Sequence, residues 1–139
     1  MKKVCFLFLA ATVAATWAAP PASANGSIAI GLPQDVARNG VAVGLSGDYA
    51  TPAEAQAEAL AQCKNSQVQA STRALCQVVQ TFKHQCVSIA MDPGVGTPGF
   101  GWGIGGNSTA AGWQALVECR EASGDRSSAC RVVTTSCDQ

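Results

Sequence analysis

The sequence predicts an α+β domain in which two duplicated strand–helix–strand units pack two helices on a largely antiparallel, disulfide-stapled sheet. Three observations lead to this expectation. Two Ala-rich segments have helical periodicity, short β-prone runs separate them, and six cysteines recur as two triplets. At 139 residues and 47% hydrophobic composition, the chain suits one domain and is too apolar for disorder.

The first 24 residues are expected to be a cleaved signal peptide. Lys2 and Lys3 precede an apolar run over residues 4–19, and Ala22-Ser23-Ala24 has the small-x-small form of a signal-peptidase site. The apolar run is shorter than the ~20 residues that a membrane span needs, and no second run follows. We therefore expect a secreted or periplasmic mature chain, residues 25–139, that has no membrane span.

The first helix is expected to begin at a capping box. Thr51 is the N-cap, Pro52 takes the first helical position and Glu54 the third, and the apolar positions are Ala57, Leu60 and Ala61. The second helix starts at Asn107 or Ser108, carries Trp113, Leu116 and Val117 on one face, and stops at Gly124. The β-prone runs are 27–32, 40–45, 76–82, 86–91, 100–104 and 130–135.

The mature chain reads as two copies of one motif, at about 27–91 and 94–137. Residues 59–63 (Ala-Leu-Ala-Gln-Cys) match residues 115–119 (Ala-Leu-Val-Glu-Cys), and Cys76-x-Val-Val matches Cys130-x-Val-Val. A third cysteine closes each triplet. The order helix, cysteine, loop, cysteine, strand, cysteine is therefore kept in both copies.

The six mature cysteines are expected to form three disulfides, because exported proteins meet oxidising conditions. A cysteine that ends a helix can reach one that opens the next strand, which gives Cys63–Cys76 and Cys119–Cys130. Cys86–Cys137 would then clamp the copies together, although six cysteines allow 15 pairings. Zinc is the rival interpretation, but the chain lacks a C-x-x-C motif and has a single histidine.

Charge and composition exclude several functions. The full chain has a net charge of +0 and no basic block, and the mature chain has a net charge of −2, so nucleic-acid binding is not expected. G-x-G-x-x-G occurs twice, at residues 94–99 and 101–106, but Pro98 interrupts the first match and the second is strand-like. We expect no cofactor and no metal.

The alternating segment Phe100-Gly-Trp102-Gly-Ile104 has two interpretations. With a strand period of two, the large residues share one face and are expected to form core under the second helix. If that face were uncovered, Phe100 and Trp102 would instead form an aromatic surface for a partner. His84 could be written with Ser88 and Asp92 as a triad, but no nucleophile elbow accompanies them. We expect no catalytic residue.

These motifs resemble a known family. The helix Ala-Glu-Ala-x-Ala-x-Ala-Leu-x-x-Cys at 53–63, Cys76-x-Val-Val, and Gly-Trp-Gly at 101–103 before a second Ala-Leu-x-x-Cys are similar to domain-of-unknown-function family 4189, over roughly residues 27–137. The resemblance implies a small bacterial exported α+β domain with internal duplication and no established enzymatic activity. No catalytic residue carries over. Residues 44–47, Gly-Leu-Ser-Gly, lack a tryptophan that would match Trp102.

A binding module is the expected function, since the sequence offers a stable framework without a convergent polar site. Its partner would be a protein or an envelope component, as for an inhibitor, an immunity factor or a host-directed effector. An envelope hydrolase that uses His84 and a purely structural envelope protein are the alternatives.

Overall fold

A computed structural model describes residues 24–138. The expected signal peptide therefore lies outside the described residues, apart from Ala24. Within the described part of the chain, no helix is long and apolar enough to cross a membrane.

Six antiparallel strands form two three-stranded sheets. In the first, β1 (Asn25–Gly31) lies between β2 (Ala42–Tyr49) and β3 (Gln77–Phe82); in the second, β4 (Cys86–Met91) lies between β5 (Phe100–Gly105) and β6 (Arg131–Cys137). The predicted α+β class, with antiparallel strands and disulfides, is confirmed. The strands are divided between two sheets, in which β1 and β4 are the central strands and are paired on both edges.

Four helices and one 3₁₀ helix complete the fold. They are α1 (Val36–Asn39), α2 (Pro52–Lys64), α3 (Ala70–Arg73), α4 (Ser108–Ser123) and the 3₁₀ helix Gly124–Ala129. The capping box of α2 is formed, since the Glu54 N–H donates to Thr51 Oγ1 at 3.2 Å and the Thr51 N–H donates to Glu54 Oε2 at 3.1 Å. Asn107 caps α4 by accepting the Ala110 N–H at 2.9 Å.

Each sheet is built from one continuous stretch of chain. In both, the central strand comes first, followed by an edge strand, a long helix and the other edge strand. The chain passes from one sheet to the other in residues 83–85. The sequence predicts that residues 86–91 belong to the first copy, but β4 pairs with β5 and β6 and so belongs to the second sheet.

Side-chain size sorts the interior into layers. The largest cluster lies between the two sheets and contains Ile28, Ile30, Phe82, Val87, Ile89 and Phe100. Small residues fill the other two clusters, which are Ala29, Ala42, Ala59 and Cys63 beside α2, and Ala90, Ala115, Cys119 and Cys130 beside α4. Because side chains alternate along a strand, each sheet presents large residues to the other sheet and small ones to its helix.

The buried helix faces differ from those that the sequence predicted. Ala55, Ala59 and Cys63 face inward on α2, and Ala111, Ala115 and Cys119 face inward on α4. The helices lie close to their sheets: a Cβ placed on Gly103 would lie 2.7 Å from the Ala111 carbonyl oxygen. Such an approach admits only small residues on the innermost face. Of the predicted apolar positions, Leu60 and Leu116 are half-buried against the helix–sheet clusters. The others are exposed: Ala57, Ala61, Trp113 and Val117.

Three disulfides are present, and they are the pairs expected from the spacing: Cys63–Cys76, Cys119–Cys130 and Cys86–Cys137. The first two join a helix to the chain that enters the following edge strand. Cys86–Cys137 does not clamp the copies together as expected, because it joins directly opposed residues of β4 and β6 within one sheet.

Candidate functional site

The outer face of α4 exposes large apolar side chains. Trp113 is 62% exposed, and Val117, one turn further on, is 36% exposed. The sequence predicts that both residues lie on the helix face that packs inward. They point outward because the inner face is taken by Ala111 and Ala115 against the glycines of β5.

A surface depression runs beside this face, between the edge strands of the two sheets. Its volume is ≈ 250 Å³, and it is lined by Gln80, Gln85, Trp102, Gly103, Ile104, Gln114 and Glu118. A second depression of ≈ 330 Å³ is lined by Trp113, Gln114, Val117 and Glu118. The two depressions are adjacent, because Gln114 and Glu118 line both of them. We call this combined surface the α4 groove.

Glu118 connects the two elements that line the α4 groove, α4 and β5. The Trp102 N–H donates to Glu118 Oε2 at 3.2 Å, so the helix side chain caps a backbone donor on the edge strand β5. The first sheet has the matching contact, in which the Leu45 N–H donates to Gln62 Oε1 at 3.2 Å. Leu45 therefore takes the structural position of Trp102 in the first sheet, and only the second sheet presents an indole there.

The α4 groove carries one formal charge. Glu118 is the single ionisable side chain among its lining residues. In the described part of the chain the ion pair is Arg126–Asp92, which lies elsewhere, so Glu118 has no cationic partner there. The groove thus combines two indoles, three side-chain amides and one uncompensated carboxylate.

The expected partner surface at Phe100 and Trp102 needs correction. Phe100 is only 8% exposed and belongs to the core between the sheets, and Trp102 is half-buried against that core. The alternative interpretation, in which Phe100 and Trp102 form core under the second helix, is also wrong about the helix. Instead, the glycines of β5 face α4, and the large residues face the other sheet. Trp102 still reaches the surface, since it lines the α4 groove.

His84, Ser88 and Asp92 do not come together. His84 is exposed in the turn before β4, with a positive φ of 52°, and Asp92 follows the other end of the same strand. Ser88 is buried between them, with its Oγ 2.7 Å from Thr135 Oγ1. The three side chains therefore form no triad.

Asp92 has a structural role. Its carboxylate accepts hydrogen bonds from Arg126 Nε at 2.8 Å, from Arg126 Nη2 at 3.1 Å and from the Gly94 N–H at 2.8 Å. The bonds from Arg126, followed by the bond from Gly94, hold the pKa of the Asp92 carboxyl below its usual range. The pair ties the β4–β5 connection to the 3₁₀ helix. A cleft of ≈ 170 Å³ lies beside this connection, facing α1.

Residues 24–138 contain no group of three or more His, Cys, Asp or Glu side chains arranged to hold a metal ion. The glycines of both G-x-G-x-x-G matches lie in the β4–β5 hairpin and at its end, and Gly101 and Gly103 are in contact with α4. Close helix packing accounts for those two glycines.

Sequence reasoning missed most of the α4 groove. Gln80, Gln85, Gln114 and Glu118 come from three separate parts of the chain, and no local motif marks them. One signal was present for α4. The alternating glycines of residues 101–105 imply a close helix, and only the stripe Ala111, Ala115 and Cys119 is small enough to face it.

Comparisons with known proteins give a family but no activity. A search of curated proteins found no match. The solution structure of Rv1813c from Mycobacterium tuberculosis is similar at 19% sequence identity, covers 98% of this chain and 99% of its own, and has a TM-score of 0.47. The model of the family described as Domain of unknown function (DUF4189) matches residues 26–137. This match spans nearly all of the described chain, and the protein belongs to that family.

Proposed function

We propose that this chain is an exported binding module that holds a protein partner, of the cell envelope or of a host, against the α4 groove. The exposed indole of Trp113 carries the proposal. Tryptophan is prominent among the side chains that dominate binding energy at protein interfaces, because it buries a large rigid surface. A tryptophan that leaves most of its side chain exposed is available for that use.

The framework around the groove supports a binding role. The groove is formed mainly by α4 and β5, with Gln80 of β3 and Gln85 on its other side. Cys119–Cys130 joins α4 to the chain that enters β6. A surface held in one conformation loses little entropy when a partner docks. Trp113 and Val117 lie one turn apart on α4, so both side chains present one continuous apolar patch.

The proposed binding role is placed outside the cytoplasm. Three disulfides are typical of proteins that work outside the cytoplasm, where thiols are not kept reduced. We assign export to residues 1–24 and place the mature chain in the periplasm or outside the cell. A purely structural envelope role remains the competing proposal, and it does not require Trp113.

Site-specific crosslinking tests the binding role. A photoreactive amino acid in place of Gln114 would be activated in envelope and host extracts, in the wild-type background and with Trp113→Ala or Leu75→Ala. Leu75 is a matched control because it is an exposed apolar residue outside the groove. We expect one crosslinked protein that Leu75→Ala retains and that Trp113→Ala reduces about tenfold or more. Equal crosslinking by both variants, or none in either extract, would reject the proposal.

A further inference from the structure

The carboxylate of Glu118 lies at the centre of the α4 groove. It lines both depressions, and one of its oxygens receives the Trp102 N–H. That backbone bond fixes the side chain but brings no positive charge. A fixed carboxylate without a cation attracts a lysine ammonium or an arginine guanidinium, which can donate to the oxygen that Trp102 does not use.

Apolar groups flank this charge on both sides. Trp102 and Ile104 lie in one depression, and Trp113 and Val117 lie in the other. A cation that lay close to the face of either tryptophan ring would gain a second attraction, from the π-electrons of the ring. The groove therefore presents an acidic site, Glu118, between two apolar sites. A ligand of complementary chemistry carries a cation between two apolar groups.

The remaining polar groups suit a peptide backbone. The side-chain amides of Gln85 and Gln114 make no hydrogen bond to other described residues, and each offers one acceptor and two donors. Peptide N–H and C=O groups are matching partners. The groove also lies between the edge strands β3 and β5, where an extended segment can align with the existing strand direction.

From this arrangement we infer that the α4 groove recognises an extended peptide segment in which a lysine or arginine lies between two apolar residues. In an extended chain, alternate side chains share one face, so the spacing is apolar-x-basic-x-apolar. The inference rests on the proposed binding function and adds the chemistry of the partner segment.

Blocked peptides of the form acetyl-Ser-Leu-Ser-X-Ser-Leu-Ser-amide, with Lys, Arg, Gln or Glu at X, provide the test. Binding to the disulfide-bonded chain would be measured by titration calorimetry at low and high salt. We expect the Lys and Arg peptides to bind about tenfold more tightly than the Gln peptide, with the Glu peptide weakest. High salt should weaken binding of the Lys peptide and leave the Gln peptide nearly unchanged.

Glu118→Gln is the critical variant, because a glutamine can still accept the Trp102 N–H while it removes the charge. It should bring the Lys-to-Gln affinity ratio close to one. Glu121→Gln, an exposed carboxylate of the same helix that does not line the groove, should keep the ratio. A Lys-to-Gln ratio near one in the wild type, or a ratio that survives Glu118→Gln, overturns the inference.

The remaining outcomes separate this inference from the proposed function. If no peptide binds at about 1 mM, or if a neutral oligosaccharide from the envelope binds while the peptides do not, the basic-peptide inference is wrong. A Trp113-dependent crosslink in either case would leave the binding proposal standing. Loss of the crosslink together with a retained preference for basic peptides would reject the cellular role and keep the groove chemistry.

Discussion

At the scale of single residues, His84 combines an exposed side chain with an unusual backbone. Its φ is 52°, and its N–H and that of Gln85 donate to the buried carboxylate of Asp138 at 2.9 and 2.7 Å. The two hydrogen bonds to Asp138 thus hold the turn before β4 in place. The residue needs the left-handed conformation that glycine adopts freely and that β-branched residues resist.

We expect His84→Gly to change the free energy of unfolding by less than about 1 kcal/mol, because relief of the left-handed backbone offsets the greater freedom of the unfolded chain. His84→Val should lower it by about 1–2 kcal/mol. Urea unfolding measures both. At Lys83, which is not among the positive-φ residues, the same two substitutions should give no such excess cost for valine. A more stable His84→Val than His84→Gly would contradict this reasoning.

Asp92 and Arg126 make stability depend on pH. The lowered pKa of Asp92 means that the folded state releases this proton more readily than the unfolded state. The Asp92–Arg126 pair therefore stabilises the folded state fully above the ordinary aspartate pKa of about 4. This contribution is lost as the pH falls through the lower folded-state pKa of Asp92. Arg126→Gln removes the cation, so its urea midpoint should lie below that of the wild type at pH 7.

The difference in midpoint should shrink as the pH falls through the lowered pKa of Asp92, because protonation removes the charge that Arg126 binds. Arg120→Gln serves as the control because Arg120 is an exposed arginine of α4 that forms no ion pair in the described residues. A midpoint difference that stayed constant with pH would assign the loss to packing of the Arg126 stem.

At the scale of elements, the contact between β5 and α4 depends on glycine. A Cβ on Gly103 would lie 2.7 Å from the Ala111 carbonyl oxygen and 2.7 Å from the Ala115 nitrogen, both backbone atoms that cannot turn aside. Gly106, at the end of the same segment, has nothing within 4 Å. The pair offers an internal comparison of one substitution in two environments.

We expect Gly103→Ala to lower the free energy of unfolding by about 1–3 kcal/mol or more, because α4 must move away from the sheet. Gly106→Ala should change it by less than about 0.5 kcal/mol. Thermal and urea unfolding measure both variants. Equal effects would mean that α4 can shift without cost, and the close approach would then not explain why Trp113 points outward.

Features that depend on neighbouring residues could be predicted from the sequence, whereas features that depend on distant residues could not. The capping box at Thr51, the cap at Asn107 and the pairs Cys63–Cys76 and Cys119–Cys130 depend on residues that are near one another in the chain, so spacing indicates them. The buried helix faces depend on glycines in another element. The partners of β4 and the lining of the α4 groove depend on contacts far apart in sequence, which periodicity does not encode.

At the scale of the whole molecule, the two sheets are joined by the backbone, and no disulfide within residues 24–138 links one sheet to the other. Cys63–Cys76 lies in the half of the described chain that ends at Lys83. Cys86–Cys137 and Cys119–Cys130 lie in the half that begins at His84. The halves share the apolar layer that contains Ile28 and Ile89, together with the short connection 83–85. Each half alone would expose that layer to water, so the inter-sheet core decides whether the halves stay together.

Cleavage of that connection should therefore leave a non-covalent complex. With a protease recognition segment inserted between Lys83 and His84, the cut protein should elute as one species in native buffer, held by the inter-sheet core. Under denaturing, non-reducing conditions it should separate into two fragments, because no disulfide crosses the cut.

Ile28→Ala leaves a cavity in the shared layer, at a cost of about 2–5 kcal/mol, and should release the halves at lower denaturant concentration. Leu75→Ala, which is exposed, should not. Fragments that stayed linked until reduction would show that a disulfide joins the two sheets.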